Sequence, residues 1–398
     1  MKTAANGDIR RQNRIKTARY ILEHKTASRQ EIAAALEFSM PTVFQYVNDL
    51  IDKGLIVEAG EYGSTGGRKA KILKICEGFR YAAGVEITRS RLRMVLLDLS
   101  GALMDSEVYP LRYEDVPEYY TKLGQAVQSF VKARGLTGAG ESKLLGVGIS
   151  IPGIIDPGFG ILRQSQTLGV SNLGLKKFSR NIPYAVGFEN DANNAAYAEM
   201  EGREKNTVYL SLNDTVGGAI FLRSNIYKGD NFKSAEFGHI IIVPNGRKCY
   251  CGKRGCVDPY CSALNLREHG EQSLERFFYK LDQGDQECIR VWEEYLEYLT
   301  LTIENLRVIF DCDIILGGDV GGYMQGRLPP LEDRLRQYNN VDPDLSFIHV
   351  GKFRRKSSAI GAAHQVINRY IDNIDVEAGS AESAAGPPAK PARFIESY

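Results

Sequence analysis

Apolar residues recur along this chain with two different periods. Near the start the period is helical. Residues 11–25 set Ile15, Ala18, Ile21 and Leu22 on one face, the spacing of an amphipathic helix. Ser28-Arg29-Gln30-Glu31 forms a capping box, in which Ser28 accepts from the Glu31 N–H and Glu31 reaches back to the Ser28 N–H. A second helix follows, with Ile32, Ala33, Ala35 and Leu36 turned inward. Ser39 offers another N-cap, and Pro41 falls in the next first turn, where its missing N–H costs little. The third helix, Pro41–Lys53, carries Val43, Val47, Leu50 and Ile51 on one side and Thr42, Gln45, Tyr46 and Asn48 largely on its other positions. Gly54 suits its end. Leu55–Ala59 and Lys71–Ile75 read as strands flanking the glycine-rich stretch 61–69.

After residue 80 the pattern shortens. Tyr81–Val85, Arg93–Leu99, Leu144–Ile151, Thr207–Leu212, Ala219–Leu222, Ile240–Val243 and Asp313–Leu316 are brief Val/Ile/Leu-rich runs bounded by Gly, Asp, Asn or Pro, and predict strands. Helical stretches separate them: Glu114–Arg134, Ala192–Glu201 and a long one from about Gln286 to Phe310. Strands interleaved with helices predict an α/β body. The small, polar, Pro-rich end, 373–398, reads as a disordered tail.

Composition bounds the class. The chain has 398 residues, 43% hydrophobic and 25% charged, with net charge +1. These values suit a soluble globular protein and argue against a disordered or collagen-like one. No apolar run is long enough for a membrane span, and the N-terminal segment has no apolar h-region. The expectation is therefore a cytoplasmic protein without a membrane partner. The average hides an asymmetry, because residues 1–74 carry 13 Lys/Arg against 8 Asp/Glu, a local +5 on a body of −4. A basic head is expected of a segment that touches phosphates.

Two short helices at this spacing fit a helix-turn-helix, and the strand pair after them fits a wing. Gln45 and Asn48 suit adenine edges, and Thr42 and Tyr46 suit phosphates or a thymine methyl. Arg68 and Lys69 at the wing tip suit a minor groove or phosphate. The expected partner is double-stranded operator DNA, bound by a homodimer or homotetramer and so nucleoid-associated.

In the body, Cys249-Tyr250-Cys251-Gly252-Lys253-Arg254-Gly255-Cys256 is the sharpest signal, with His239 ten positions upstream. Three thiolates and an imidazole complete a closed tetrahedral set, which points to structural zinc; free thiols are the alternative, and Cys261 is a possible competitor as ligand. Asn190-Asp191-Ala192-Asn193 opens a helix after an apolar run. Asp191 there can accept a proton from a sugar hydroxyl or simply cap the helix. Glu236 precedes His239, and Asp258 follows the knuckle. Several carboxylates and an Asn gathered near a metal-braced loop would suit a polyhydroxylated ligand.

These residues resemble the ROK family (repressors, open-reading-frame proteins and sugar kinases), and within it the transcriptional regulators. The resemblance spans about residues 11–372. It rests on Ser64-Thr65-Gly66-Gly67-Arg68, Gly148-Ile149-Ser150-Ile151-Pro152-Gly153, Glu189-Asn190-Asp191-Ala192-Asn193, Glu236-Phe237-Gly238-His239, the cysteine knuckle and Leu316-Gly317-Gly318. It implies a winged helix-turn-helix (1–75) before an actin-like two-lobed α/β fold. Lobe 1 would span 76–198, with 360–372 returning to it, and lobe 2 199–359. It implies zinc on His239, Cys249, Cys251 and Cys256, and sugar contacts from Gly153, Asn190, Asp191, Glu236 and His239. Asp258 stands where the family usually has Glu.

The kinase parts depart from the family. An Asp-x-Gly-Gly-Thr phosphate loop is expected after the first body strand, yet Glu86-Ile87-Thr88-Arg89-Ser90 has no glycine, and close backbone approach to phosphate needs one. The second loop, Asn213-Asp214-Thr215-Val216-Gly217-Gly218, loses its first glycine and gains Asp214. The expectation is a repressor of carbohydrate genes that senses a sugar or sugar phosphate and is not an enzyme. The alternatives are an active ATP-dependent sugar kinase with a DNA-binding head, and a repressor controlled by a protein partner.

Overall fold

The structure, a computed structural model, describes residues 2–62, 70–136, 142–200, 203, 205–223, 225–338 and 344–374, the side chains of residues 2–6 excepted. Arg68, Lys69, the rest of the wing tip and the tail beyond residue 374 lie outside the described residues.

The head comprises α1 (Lys2–His24), α2 (Arg29–Ala35), α3 (Met40–Asp52) and the antiparallel pair β1 (Ile56–Glu61) and β2 (Lys71–Ile75). Both caps form. Ser28 Oγ accepts from Glu31 N–H at 3.2 Å while Glu31 accepts from Ser28 N–H at 2.6 Å, and Ser39 Oγ accepts from Thr42 N–H at 3.4 Å. Helix α1 begins at Lys2 rather than near residue 11, because the added turns carry no apolar stripe for a period to reveal; Ile9 is exposed. One expectation fails on α3. Tyr46 is 5% exposed, its hydroxyl 3.4 Å from Asn13 Nδ2 and its ring edge-on to Phe38. Val43, Tyr46, Val47 and Leu50 make the i, i+3, i+4, i+7 stripe that faces inward, so Tyr46 belongs to the core.

The body begins with β3 (Tyr81–Ile87), β4 (Arg91–Asp98), β5 (Leu103–Pro110), α4 (Pro117–Ala133) and β6 (Leu144–Ile151). A small antiparallel sheet of β7 (Ile154–Asp156), β8 (Ile161–Ser165) and β9 (Val170–Gly174) follows, then α5 (Lys176–Ser179), β10 (Val186–Asn190) and α6 (Asp191–Glu199). The first main sheet runs β10-β6-β3-β4-β5, parallel across β10, β6 and β3 and antiparallel beyond. Every residue of β6 but Leu145 is buried, as expected of a parallel strand covered on both faces. Strand β5 escapes the sequence pattern because it is an edge strand, exposed almost throughout and formed by pairing with β4.

A second five-stranded sheet runs β13-β12-β11-β14-β15, from β11 (Thr207–Leu212), β12 (Val216–Leu222), β13 (Asn225–Ile226), β14 (Asp313–Gly317) and β15 (Ile348–Val350). Between β13 and β14 come α7 (Asp258–Cys261), α8 (Ala263–His269), α9 (Leu274–Asp282) and α10 (Gln286–Phe310); α11 (Gly318–Met324) and α12 (Leu328–Tyr338) follow β14. Leu296, Leu299 and Ile303 of α10 share the apolar core with Val208, Leu210 and Ile314 of the sheet. Ile240–Val243 is not a strand. It makes one isolated bridge, Ile241 with Cys256, because its partner is the cysteine loop rather than a sheet.

The last helix, α13 (Ser357–Asp372), returns to the first sheet. Backbone approach there is close. A Cβ on Gly148 would lie 2.0 Å from the Ala362 carbonyl oxygen, and one on Gly361 would lie 1.7 Å from that of Asn194. Only hydrogen fits at either contact. The opposite side of α13 meets the head, since Ala18, Ile21 and Leu50 share one cluster with Val95, Leu97, Ala363 and Ile367. Head and first sheet thus have a common core.

Candidate functional site

A cleft of about 430 Å³ opens between the two main sheets, lined among others by Gly153, Asn190, Asp191, Glu236 and His239. Five expected residues therefore meet. Asn190 ends β10 and caps α6, its Oδ1 accepting from Asn193 N–H at 3.0 Å. Its Nδ2 donates to the Gly153 carbonyl (2.9 Å) and to Asp191 Oδ1 (3.1 Å). Asn190 thus positions Asp191 more than it offers itself to a ligand. Burial, and next the Glu86 charge, push the Asp191 carboxyl up to about 6. That makes it a ready acceptor near neutral pH. Burial also raises the Glu236 carboxyl.

Asp258 is a correction. It does not line the cleft; it is 6% exposed, and its Oδ1 accepts from Val216 N–H at 2.6 Å. Burial pushes it up to about 6. The shorter side chain is used to tie down the turn before β12. Sequence reasoning also missed a group of residues. Gln164, Gln166 and Thr167, from β8 and the turn after it, reach the cleft, and Lys228 pairs with Glu189 at its edge. Polar residues in a hairpin carry no pattern that separates them from an ordinary turn.

The knuckle closes on itself beside the cleft. His239, Cys249, Cys251 and Cys256 bring one ligand atom each to within 4.8 Å of one another. Cys251 and Cys256 sulfurs are 3.8 Å apart, and His239 Nδ1 is 3.7 Å from Cys249 Sγ. A tetrahedral ion with metal–sulfur bonds of about 2.3 Å separates its thiolates by about 3.8 Å, so the donor set fits. The loop turns on Gly252 and Gly255, both at positive φ. Gly255 leaves no space for a side chain, as a Cβ would meet the Val243 carbonyl at 1.6 Å. Burial, then Lys253, lowers the His239 pKa and so favours the neutral, ligating ring. His239 Nε2 lies 3.2 Å from Tyr250 Oη, which links the cluster to the cleft wall. Cys261 is fully buried and lies outside the set.

The two altered phosphate loops meet in an ion network. Glu86 on β3 pairs with Arg93 on β4 at 2.8 Å. Arg93 reaches Asp319 of α11 at 3.5 Å; Arg267 of α8 joins Asp319 (2.8 Å) to Asp214 (2.6 Å). Arg355 adds a contact to Asp319 at 3.5 Å. Asp214, which would repel phosphate, is matched here by an arginine of its own lobe. The Asn213 amide oxygen accepts the Asp319 N–H at 2.7 Å, so that backbone donor is also engaged.

On the head, Gln45 and Asn48 are exposed on α3, while Thr42 is half-buried with its hydroxyl 2.7 Å from that of Ser39. Phe44, which the pattern did not single out, is 47% exposed between them.

A helix-turn-helix head sharing a core with a two-sheet body, whose cleft carries a partly shielded acceptor, defines a sugar-kinase-like regulator class. The chain belongs to the ROK family, which it matches over residues 82–369. It is 28% identical over 308 residues to the xylose repressor of Bacillus spizizenii, covering 74% of this chain and 79% of that one. It is 25% identical over 348 residues to the DNA-binding transcriptional dual regulator NagC of Escherichia coli, covering 81% and 84%. Among solved structures, a ROK family transcriptional regulator homologous to the E. coli MLC protein superposes with a TM-score of 0.72 at 20% identity, over 92% of this chain and 97% of that one. A ROK glucokinase from Streptomyces griseus superposes with 0.60 at 22% identity, over 72% and 98%. The regulator likeness takes in the head; the kinase likeness covers a smaller share of this chain.

Proposed function

We propose that this chain is a sugar-responsive transcriptional repressor that does not transfer phosphate. The helix-turn-helix (1–75) binds operator DNA, lobes 76–198 and 199–359 enclose the sugar, and zinc braces the cleft through His239, Cys249, Cys251 and Cys256. Resemblance to the xylose repressor and NagC over 74% and 81% of this chain supports this reading.

The observation that carries it is the path of α13. At one end, Ser358 Oγ donates to the Asp191 carbonyl at 3.0 Å. At the other, Asp372 pairs with Arg19 (2.6 Å) and its carbonyl accepts from Arg11 (3.1 Å), both on α1. Sixteen residues of helix span roughly 24 Å. A sugar that shifts Asp191 and α6 would thus act on the element that holds the head. The effector can alter operator affinity only by binding the two arrangements unequally. His239 borders both the cysteine cluster and the cleft, so it would help to hold the metal and shape the sugar site together.

The retained Asp191 favours the kinase reading, and the ion network and missing glycines oppose it. The test combines operator binding and turnover. Full-length protein is screened by thermal shift against sugars and sugar phosphates, then titrated onto duplex DNA with and without each stabilising compound. The proposal requires sequence-preferring DNA binding that changes with one such ligand. ADP release that depends on sugar and is lost in Asp191→Asn would instead establish the kinase.

A further inference from the structure

The base-reading surface of α3 is more specific than its residue types imply. Arg29, the first residue of α2, folds over α3. Its guanidinium lies 4.9 Å from the Phe44 ring centroid, its Nη2 is 3.0 Å from Glu58 on β1, and the same nitrogen donates to Asn48 Oδ1 at 3.4 Å. The Arg29 side chain is only 13% exposed. It is committed to these three neighbours rather than to phosphate.

Guanidinium has no acceptor. The Asn48 amide must therefore turn its oxygen to Arg29 and its NH₂ outward. An asparagine reads adenine with one donor and one acceptor together. With Oδ1 turned toward Arg29, the NH₂ is the freer half of the Asn48 amide to face a groove. Phe44 precedes Asn48 by four residues, so the two stand side by side on the helix, and Phe44 is 47% exposed. An apolar ring next to a lone donor complements thymine, which shows a methyl group and the O4 acceptor at adjacent positions of one base in the major groove.

We propose that Phe44 and Asn48 together read a thymine in each operator half-site, Phe44 against the methyl and Asn48 donating to O4, with Arg29 as the positioning residue that holds the Asn48 oxygen inward and biases the amide against adenine. The inference rests on the DNA-binding reading above and deepens it.

The test uses full-length protein. A duplex consensus is first selected from a random library, and each thymine is then replaced by deoxyuridine, which removes only the methyl group. Binding is followed by fluorescence anisotropy at fixed salt. One thymine per half-site should lose about fivefold in affinity on replacement, and that loss should vanish in Phe44→Ala, a surface change that leaves the core intact. Reselection with Arg29→Ala should replace the thymine with adenine, because Oδ1 is released; Arg29→Lys, which retains a donor, should keep thymine. A consensus without a methyl-sensitive thymine, an undiminished loss in Phe44→Ala, or an unchanged base in Arg29→Ala would overturn the proposal. If the wild-type protein selected no consensus at all, the DNA-binding reading would fail with it, and the two failures are thereby distinct.

Discussion

Asp191→Asn separates the cost of the cleft from its use. Burial and the Glu86 charge move this carboxyl from 3.8 to about 6. The folded protein therefore holds a proton more tightly than the unfolded chain. The group opposes folding least below about pH 4, and its penalty grows as pH rises through 6. A shift of about two units is worth about 3 kcal/mol when fully expressed. The side chain is only partly shielded in an open cleft, so screening brings this to about 1–2 kcal/mol. The neutral, nearly isosteric variant removes the penalty. Without sugar, it should melt roughly 2–4 °C above wild type at pH 7.5, with about a third of that difference left at pH 4.5. Its affinity for the effector should fall about 10–100-fold, as expected for loss of a hydrogen bond to a charged acceptor. Differential scanning fluorimetry across pH, with titration calorimetry for the ligand, reads both. A melting difference that stays constant from pH 4.5 to 8 would refute the electrostatic argument, even if sugar binding were lost.

Cys251→Ser removes one of four converging ligand atoms and should abolish stoichiometric zinc, measured by elemental analysis of protein prepared without chelator, and lower the melting temperature. Arg93→Gln leaves Glu86 buried without its 2.8 Å partner and should destabilise the body by about 3–5 kcal/mol, read by urea denaturation; the double change Glu86→Gln/Arg93→Gln should recover part of the loss. Gly148→Ala forces a methyl against the Ala362 carbonyl and should cost about 1–3 kcal/mol or more by displacing α13, with operator binding weakened at temperatures where the protein remains folded.

Much of the site was legible from local chemistry. The knuckle declared itself because three cysteines and two glycines within eight positions have few other uses, and the four ligand atoms converge. Asp191 was legible as a residue opening a helix after a strand. Both head caps were readable because a capping box is a contact within four residues. Failures fell where a side chain's neighbours are distant in sequence. Asp258 kept a carboxylate in the motif, yet spends it on Val216 N–H, forty-two positions away. Tyr46 looked polar enough to face DNA, but Asn13 and Phe38 enclose it. Strand β5 has no burial pattern of its own because the only thing that makes it a strand is β4.

By itself the sequence determined the helix-turn-helix, the alternation of strand and helix, the His/Cys set able to hold a metal and the absence of glycine at the first phosphate loop. Those features rest on short-range spacing, capping and residue chemistry, which a linear chain displays. The tertiary structure alone decided that Arg93, Arg267 and Asp319 would bind the altered loops together, that Arg29 would orient Asn48, and that α13 would join Asp191 to the head. Each of these joins side chains carried by different elements, where no local period or motif records which partner will arrive.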